Sequence, residues 1–367
     1  MPRTSVPDGS VGGVNHPAHM LTRLSVRRAL QSVDRGALVL VGLSGGADSL
    51  ALAAALAAEA GAAGVRAGAI VVDHGLQAGS ADIAARAAAQ ARELGLEEVH
   101  VLRVQVDAGA TQSEGPESAA RAARYAAFEE IAQSTGAIAI LTAHTRDDQA
   151  EQVLLALARG SGTRSLAGIP PIRQLNDSTA LIRPFLAEDP EVRRATTVAA
   201  CEELGLEAWS DPHNIDHTYA RVRVREVLMP AIAEALGAGV PVGLARSADL
   251  AREDAEALDV WAAQVFTEIV RVVDEGEPAA TIEASDVKRL AELPAAVRQR
   301  VIHRVASQVF GASLGRSHTL AIAALVTKWI GQGPIFVPGI RVTRAAGALR
   351  FERQHGSPRK AKTNKQG

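Results

Sequence analysis

Ser44-Gly45-Gly46-Ala47-Asp48-Ser49 joins a short apolar run, Ala37 to Val41, to an alanine-rich stretch that reads as a helix from about Asp48. Adjacent glycines let a backbone approach a ligand closely, and a helix N-terminus presents unpaired N–H groups to anions. Such a turn suits phosphate. It lacks the lysine of the nucleoside-triphosphate loop G-x-x-x-x-G-K-[ST], and its spacing is not G-x-G-x-x-G. Asp48 and Asp148 each stand at a strand-to-helix turn. A carboxylate pair there can hold Mg²⁺ against phosphate oxygens; each could equally serve the positive end of its own helix dipole. Asp147 reads as the helix cap of its pair. Arg121 and Arg124 share one helix face and have the forked geometry that grips phosphate, or else form a solvated face with Glu129 and Glu130. Asp73, His74 and His144 close two further turns; each histidine is either a nucleotide contact or a structural side chain.

The elements that must position these residues alternate. Strands are expected over Ala37–Val41, Val65–Asp73, Glu98–Val106 and Ala137–Thr142, and helices from Asp48, Ser80, Pro116 and Asp147. This order predicts a doubly wound parallel α/β sheet, whose ligands sit beyond the carboxyl ends of the strands. Ser44 to Asp48, Asp73 to Gly75 and His144 to Asp148 all fall at that edge. Beyond it come a loop at Arg159–Gly162, a helix over Pro190–Gly205 and a helical stretch over His217–Leu236. A long amphipathic helix follows from Leu244 to about Asp274. Helices over Leu293–Val309 and Arg316–Ile330 precede strands at Ile335–Val337, Ile340–Thr343 and Ala348–Glu352. The division expected is a disordered tail (1–22), a catalytic domain (23–214), a helical bridge (215–255), a smaller α+β domain (256–353) and a basic tail (354–367).

With 367 residues and 47% hydrophobic content the chain can bury two cores. No stretch offers 18 uninterrupted apolar residues, so no membrane span is implied. The first twenty residues lack the apolar segment of a signal peptide. One cysteine, Cys201, excludes a disulfide framework, a Cys-x-x-Cys zinc site and a thiolate-ligated cluster, and a cytoplasmic setting is the natural reading. The net charge of −2 leaves room only for local basic patches.

The hexapeptide resembles the pyrophosphate loop of the ATP pyrophosphatase superfamily, whose members cleave ATP between the α- and β-phosphates. Further runs follow in order: Val72-Asp73-His74-Gly75-Leu76, Ala120-Arg121-Ala122-Ala123-Arg124-Tyr125 and Leu141 to Glu151. Arg159-Gly160-Ser161-Gly162 and Trp209-Ser210-Asp211-Pro212-His213-Asn214 come after them. Together they resemble the tRNA(Ile)-lysidine synthetase family over about 25–230, and more loosely through Leu293–Arg300 and Trp329–Gly339. Thr145, Gln152 and Gln77 depart from that family's usual His or Asn, Thr and Arg. The resemblance implies an adenine nucleotide α-hydrolase-like fold with a tRNA-binding C-terminal domain. It implies ATP bound by Ser44, Gly45, Gly46, Ala47, Asp48, Ser49, Asp73, His74 and His144, and Mg²⁺ held by Asp48 and Asp148. Catalysis would fall to Asp48, Asp148, Arg121 and Arg124. Arg159, Arg164, Arg183, Arg221, Arg223 and Arg225 would contact an isoleucine tRNA with a CAU anticodon, free L-lysine would be the second substrate, and a homodimer is left open. Three rivals remain: a tRNA cytidine thiolase, which would need paired cysteines; an ammonia-using amide ligase; and a nucleotide sensor without turnover.

Overall fold

The computed structural model describes residues 16–73, 75, 79–104, 116–160, 162–273 and 276–354. The expected tails over 1–15 and 355–367, His74, Gln77, Ser161 and the loop at 110–115 lie outside them. The described residues group into two compact units divided between Ala251 and Arg252. Most of the stretch read as a bridge, up to Ala251, therefore goes with the first unit.

The first unit runs α1 (Pro17–Leu30), β1 (Leu38–Leu43), α2 (Ala47–Ala63), β2 (Arg66–Asp73), α3 (Ser80–Glu93), β3 (Glu98–Arg103), α4 (Pro116–Thr135), β4 (Ala139–Leu141) and α5 (Arg146–Ala158). It continues through α6 (Thr163–Leu166), β5 (Ile172–Gln174), β6 (Ala180–Ile182), α7 (Arg194–Glu203), α8 (Ala220–Arg223), a π turn (Val224–Leu228) and α9 (Met229–Leu236). The unit boundary falls inside the next helix, α10 (Val240–Ile269). Six strands pair in the order β3-β2-β1-β4-β6-β5, all parallel except β5. The chain winds outward from β1 in one direction and returns through β4 in the other, so the switch point lies between β1 and β4. That is where an open α/β sheet takes its ligand.

Period-two alternation divides the core. Val39 and Val41 of β1 pack with α1, α2, α3 and α7 on one face, whereas Leu38 and Leu40 pack with Phe128 and Ala132 of α4 on the other. Phe128 fixes Gly42: a Cβ there would lie 2.6 Å from the ring. The run Leu50–Leu56 of α2 is buried all round, because the helix is enclosed by the sheet, α1 and α7. Alanine suits that place, since small side chains let three neighbours close in.

Two local expectations change. Helix α1 starts at Pro17, within the stretch read as a tail, because Val26 and Leu30 join the core and Glu203 accepts the Ala18 and His19 N–H groups at 3.1 and 2.9 Å. In the second unit the long helix stops at Ile269, short of Asp274, and β7 (Val270–Val273) and β8 (Ala279–Ile282) follow. Val-Arg-Val-Val favours a strand, and four residues are too few to show periodicity. The chain then adds α11 (Ala284–Glu292), α12 (Ala295–Arg304), α13 (Arg316–Thr327), β9 (Ile335–Val337), β10 (Ile340–Ala345) and β11 (Ala348–Arg353). These strands form an antiparallel sheet ordered β7-β8-β11-β10-β9, with its own core around Ile282, Leu290, Ile302, Leu325 and Phe351. Among the described residues no single helix is long and apolar enough to cross a membrane.

Candidate active site

The turn after β1 is held from within and from outside. The Ser49 hydroxyl accepts the Ser44 N–H at 3.1 Å and donates to the Gly46 carbonyl at 3.0 Å, while the Ser44 hydroxyl lies 3.1 Å from it. From α7's far side, the Trp209 N–H donates to the Gly45 carbonyl at 2.9 Å. Gly45 takes φ of +84°, the left-handed region that a side chain would strain. Gly46 begins α2 without any side-chain cap. The first-turn N–H groups of Ala47 and Asp48 therefore have no side-chain cap, the arrangement that suits an anion.

Asp48, on that first turn, meets Asp148 through one guanidinium. Arg194 opens α7 and sets its Nε 3.8 Å from Asp48 Oδ2 and its Nη2 3.1 Å from Asp148 Oδ1. Thr197, one turn along α7, donates its hydroxyl to Asp48 Oδ1. Burial pushes the Asp48 carboxyl above its usual range, against the Thr197 hydrogen bond, and the charge of Asp148 pushes the same way. The two carboxylates expected to work together are therefore neighbours.

The Asp147–Asp148 pair divides its work differently from the expectation. Asp148 Oδ2 accepts the Thr145 N–H at 2.7 Å and the Thr145 hydroxyl at 3.1 Å, so Asp148 closes the capping box of α5 with one oxygen and turns the other to the arginines. Asp147, read as the cap, binds Arg193 at 2.8 Å and the Arg194 N–H at 2.8 Å instead. These bonds, working against burial, hold its carboxyl below the usual range. Asp147 thereby anchors the start of α7 and with it Arg194.

Sequence reasoning missed Glu151, Arg194 and Thr197. Glu151 stands three residues after Asp148, on the same face of α5; that spacing was the available signal. Its carboxyl is 2% exposed and binds Arg225 Nε at 2.8 Å, Arg221 Nε at 2.9 Å and Arg194 Nη1 at 3.3 Å. Arg221 and Arg225 also lie 3.3 and 3.6 Å from Asp148 Oδ1. The π turn after α8 lies beside this network, a form often found where function distorts a helix. Beside the network is a recess of about 110 Å³ lined by Asp147, Glu151, Arg194, Arg225 and Met229.

The other expected residues scatter. Arg121 and Arg124 are exposed on α4, and Arg121 Nη2 donates to the Tyr125 hydroxyl at 3.1 Å. Arg183, just beyond β6, is 2% exposed, and its Nη1 donates to the Pro170 carbonyl at 2.6 Å. His144 lies 3.3 Å from the Thr142 hydroxyl. Burial first, then the charges of Arg183, Arg221, Arg121 and Arg124, hold His144 well below its ordinary value, so it is neutral at pH 7. Asp73 accepts the Gly75 N–H at 2.9 Å and shapes its own turn. Arg223 bonds the carbonyls of His217 and Thr218 at 2.7 Å each, and Arg159 and Arg164 are exposed. Of the six arginines expected to contact RNA, Arg221 and Arg225 pair with Asp148 and Glu151.

A parallel sheet carrying a diglycine turn into a helix, with carboxylates gathered at its rim, defines a nucleotide-cleaving α/β protein, and residues 21–232 match the family described as the PP-loop domain. tRNA(Ile)-lysidine synthase from Leifsonia xyli subsp. xyli is 56% identical over 316 residues, 86% of this chain and 90% of that one. Its counterpart from Salinispora arenicola is 50% identical, covering 89% and 94%, and that from Streptomyces coelicolor 43%, covering 92% and 99%. The chain belongs to the tRNA(Ile)-lysidine synthase family of PP-loop proteins. Among solved structures, the U34-tRNA thiolase NcsA from Methanococcus maripaludis, with its [4Fe-4S] cluster, aligns at a TM-score of 0.53 and 17% identity. It covers 68% of this chain and 89% of its own, a likeness of fold alone.

Proposed function

We infer that the chain is an ATP-dependent ligase that converts the wobble cytidine of a CAU-anticodon isoleucine tRNA to lysidine in the cytoplasm. The C2 carbonyl oxygen of cytidine attacks the α-phosphorus of ATP, and the bond to the β-phosphate oxygen breaks, releasing pyrophosphate. The ε-amine of free lysine then attacks C2, the C2–O bond breaks, AMP leaves with that oxygen, and the amine gives up a proton. The observation that carries this reading is the meeting of Asp48 and Asp148 at Arg194, beside an uncapped helix N-terminus made for phosphate.

The loop Ser44–Ser49 would cradle the pyrophosphate through its backbone N–H groups. The donor set fits Mg²⁺, which takes one or two carboxylates and completes its shell with phosphate oxygens and water. Asp48 and Asp148 are two such carboxylates sharing a single cationic neighbour. They would hold the ion, which neutralises charge growing on the leaving pyrophosphate. The recess beside them suits a zwitterionic amino acid. Asp147 and Glu151 face an ammonium, Arg194 and Arg225 a carboxylate, and Met229 supplies apolar wall. Arg159, Arg164 and Arg223, all exposed, would meet tRNA phosphates.

A single-turnover assay with CAU-anticodon tRNA, labelled lysine and ATP tests the whole sequence. The expected result is AMP release that needs both lysine and the tRNA, with label ending on the RNA. AMP formed without any RNA would instead make the chain a small-molecule ligase, and ATP bound but never cleaved would make it a sensor.

A further inference from the structure

Near β4, β6 and edge strand β5, three arginines gather, and among the described residues no acid lies with them. Tyr125 is their centre. Two guanidinium groups lie over its ring, Arg173 at 4.6 Å and Arg121 at 5.1 Å from the centroid. Its hydroxyl accepts from Arg121 at 3.1 Å, and the charge of Arg183 acts on it as well. Among the described residues no carboxylate comes within 4.0 Å of Arg121, Arg173 or Arg183, in contrast to the arginines around Glu151. Arg183 is the sharpest case: its side chain is buried, and its Nε has no hydrogen-bond partner among the described residues.

A guanidinium buried without a counter-ion is costly, and three together repel one another. Cation–π contact and one phenol oxygen offset only part of that repulsion. Among the described residues the group has no anion. A guanidinium fork matches the geometry of phosphate oxygens, and a preassembled cluster binds without first ordering its side chains.

We propose that Arg121 and Arg173, assembled around Tyr125 and backed by the buried charge of Arg183, form a phosphate-anion site whose occupant is a phosphodiester of the RNA substrate, with Tyr125 as the positioning residue. RNA is favoured over the nucleotide by topology. β5, which carries Arg173, is three strand spacings from β1, the strand that ends in the phosphate turn. That is roughly 14 Å. A strand of RNA whose target base reaches the switch point between β1 and β4 would leave a neighbouring phosphate over β6 and β5. The choice of occupant rests on the tRNA reading above; the existence of an anion site does not.

The test uses the full chain with Arg173→Gln, an exposed position whose loss does not threaten folding, and with Tyr125→Phe, which keeps the ring and removes the acceptor. Binding of CAU-anticodon tRNA is measured across a KCl series, and binding of a non-hydrolysable ATP analogue by calorimetry. We expect Arg173→Gln to weaken tRNA binding about three- to tenfold and to make the slope of log affinity against log salt shallower by about 1. Nucleotide affinity should stay unchanged, and Tyr125→Phe should shift tRNA binding in the same direction. Weaker nucleotide binding with unaltered tRNA binding would keep the anion site and assign it to the triphosphate. Unchanged affinity for both ligands in Arg173→Gln would overturn the proposal. Failure of the unsubstituted chain to bind the tRNA would sink the lysidine reading instead, leaving the nucleotide arm to judge the cluster.

Discussion

Arginines stand on both flanks of one sheet edge, and they are held in opposite ways. Arg194, Arg221 and Arg225 mesh with Asp48, Asp148 and Glu151, so each positive charge answers a negative one. Arg121, Arg173 and Arg183 gather round a phenol. The first group is charge-matched within the chain, and lysine would enter by sharing those pairs rather than by meeting an unpaired charge. The second has no acid partner among the described residues, and in the proposal above its charge is matched by a ligand. The same residue type thus serves as scaffold or as receptor according to whether an acid lies within reach.

The hardest blow to the paired flank is Asp48→Asn. Removing one charge from a phosphoryl-transfer site should slow adenylation by about 10³ or more, read as pyrophosphate release in a single turnover. Its tRNA affinity should be that of the native chain, since the RNA-facing arginines are untouched. An active Asp48→Asn enzyme would remove Asp48 from the chemistry.

Glu151→Gln strikes next. It leaves Arg194, Arg221 and Arg225 short of their shared acid. Breaking a fully buried pair costs about 3–5 kcal/mol, and the partial exposure of the arginines should reduce that to about 2–3 kcal/mol. Urea unfolding measures it. Arg173→Gln, which breaks no ion pair, should leave the midpoint where it was. Equal losses from the two would erase the distinction between the flanks.

How far the sequence reached follows the same physics. The alternation of apolar runs and glycine-bearing turns was enough for the parallel sheet and the placing of Ser44–Ser49, Asp73 and His144 at strand ends, because both signals are local. The choice between Asp147 and Asp148 was not local. It depends on Thr145 as the N-cap and on Arg193 and Arg194, which arrive from a helix 46 residues along the chain. Arg194 gives no signal of its own in a stretch of mixed charge. Arg221 and Arg225 looked like surface residues because their acid partners lie 70 or more positions earlier. In the second unit β7 and β8 were hidden by the helix they follow: the chain changes period within four valine-rich residues.

A control away from the rim sharpens the comparison with a smaller effect. Glu59 of α2 is buried and binds Arg23 and Arg27 of α1 at 2.7 Å each. The Arg27 hydrogen bond, helped by Arg23 and opposed by burial, holds the Glu59 carboxyl below the usual range. A depressed carboxylate stabilises the fold above its unfolded pKa, and that contribution fades as pH falls through the folded pKa. Glu59→Gln should therefore cost about 1–2 kcal/mol at neutral pH, with the gap to the native chain closing below about pH 4. Activity per folded molecule should not change. A loss of turnover would mean that α1 acts on the site and that pairing alone does not mark a structural arginine.

The smallest effect belongs to an arginine in neither group. Arg159 ends α5, exposed, and a phosphate contact there would be loosely held. Arg159→Gln should weaken tRNA binding by about two- to threefold, with the salt slope shallower by up to about 1, and leave stability alone. Arg173 sits in an assembled cluster and should cost more, because its partners are already ordered before RNA arrives. The ratio of the two losses at fixed salt is the measure. If Arg159 and Arg173 prove equal across the KCl series, the acid-free flank contributes only general surface charge, and the order imposed by Tyr125 adds nothing to binding.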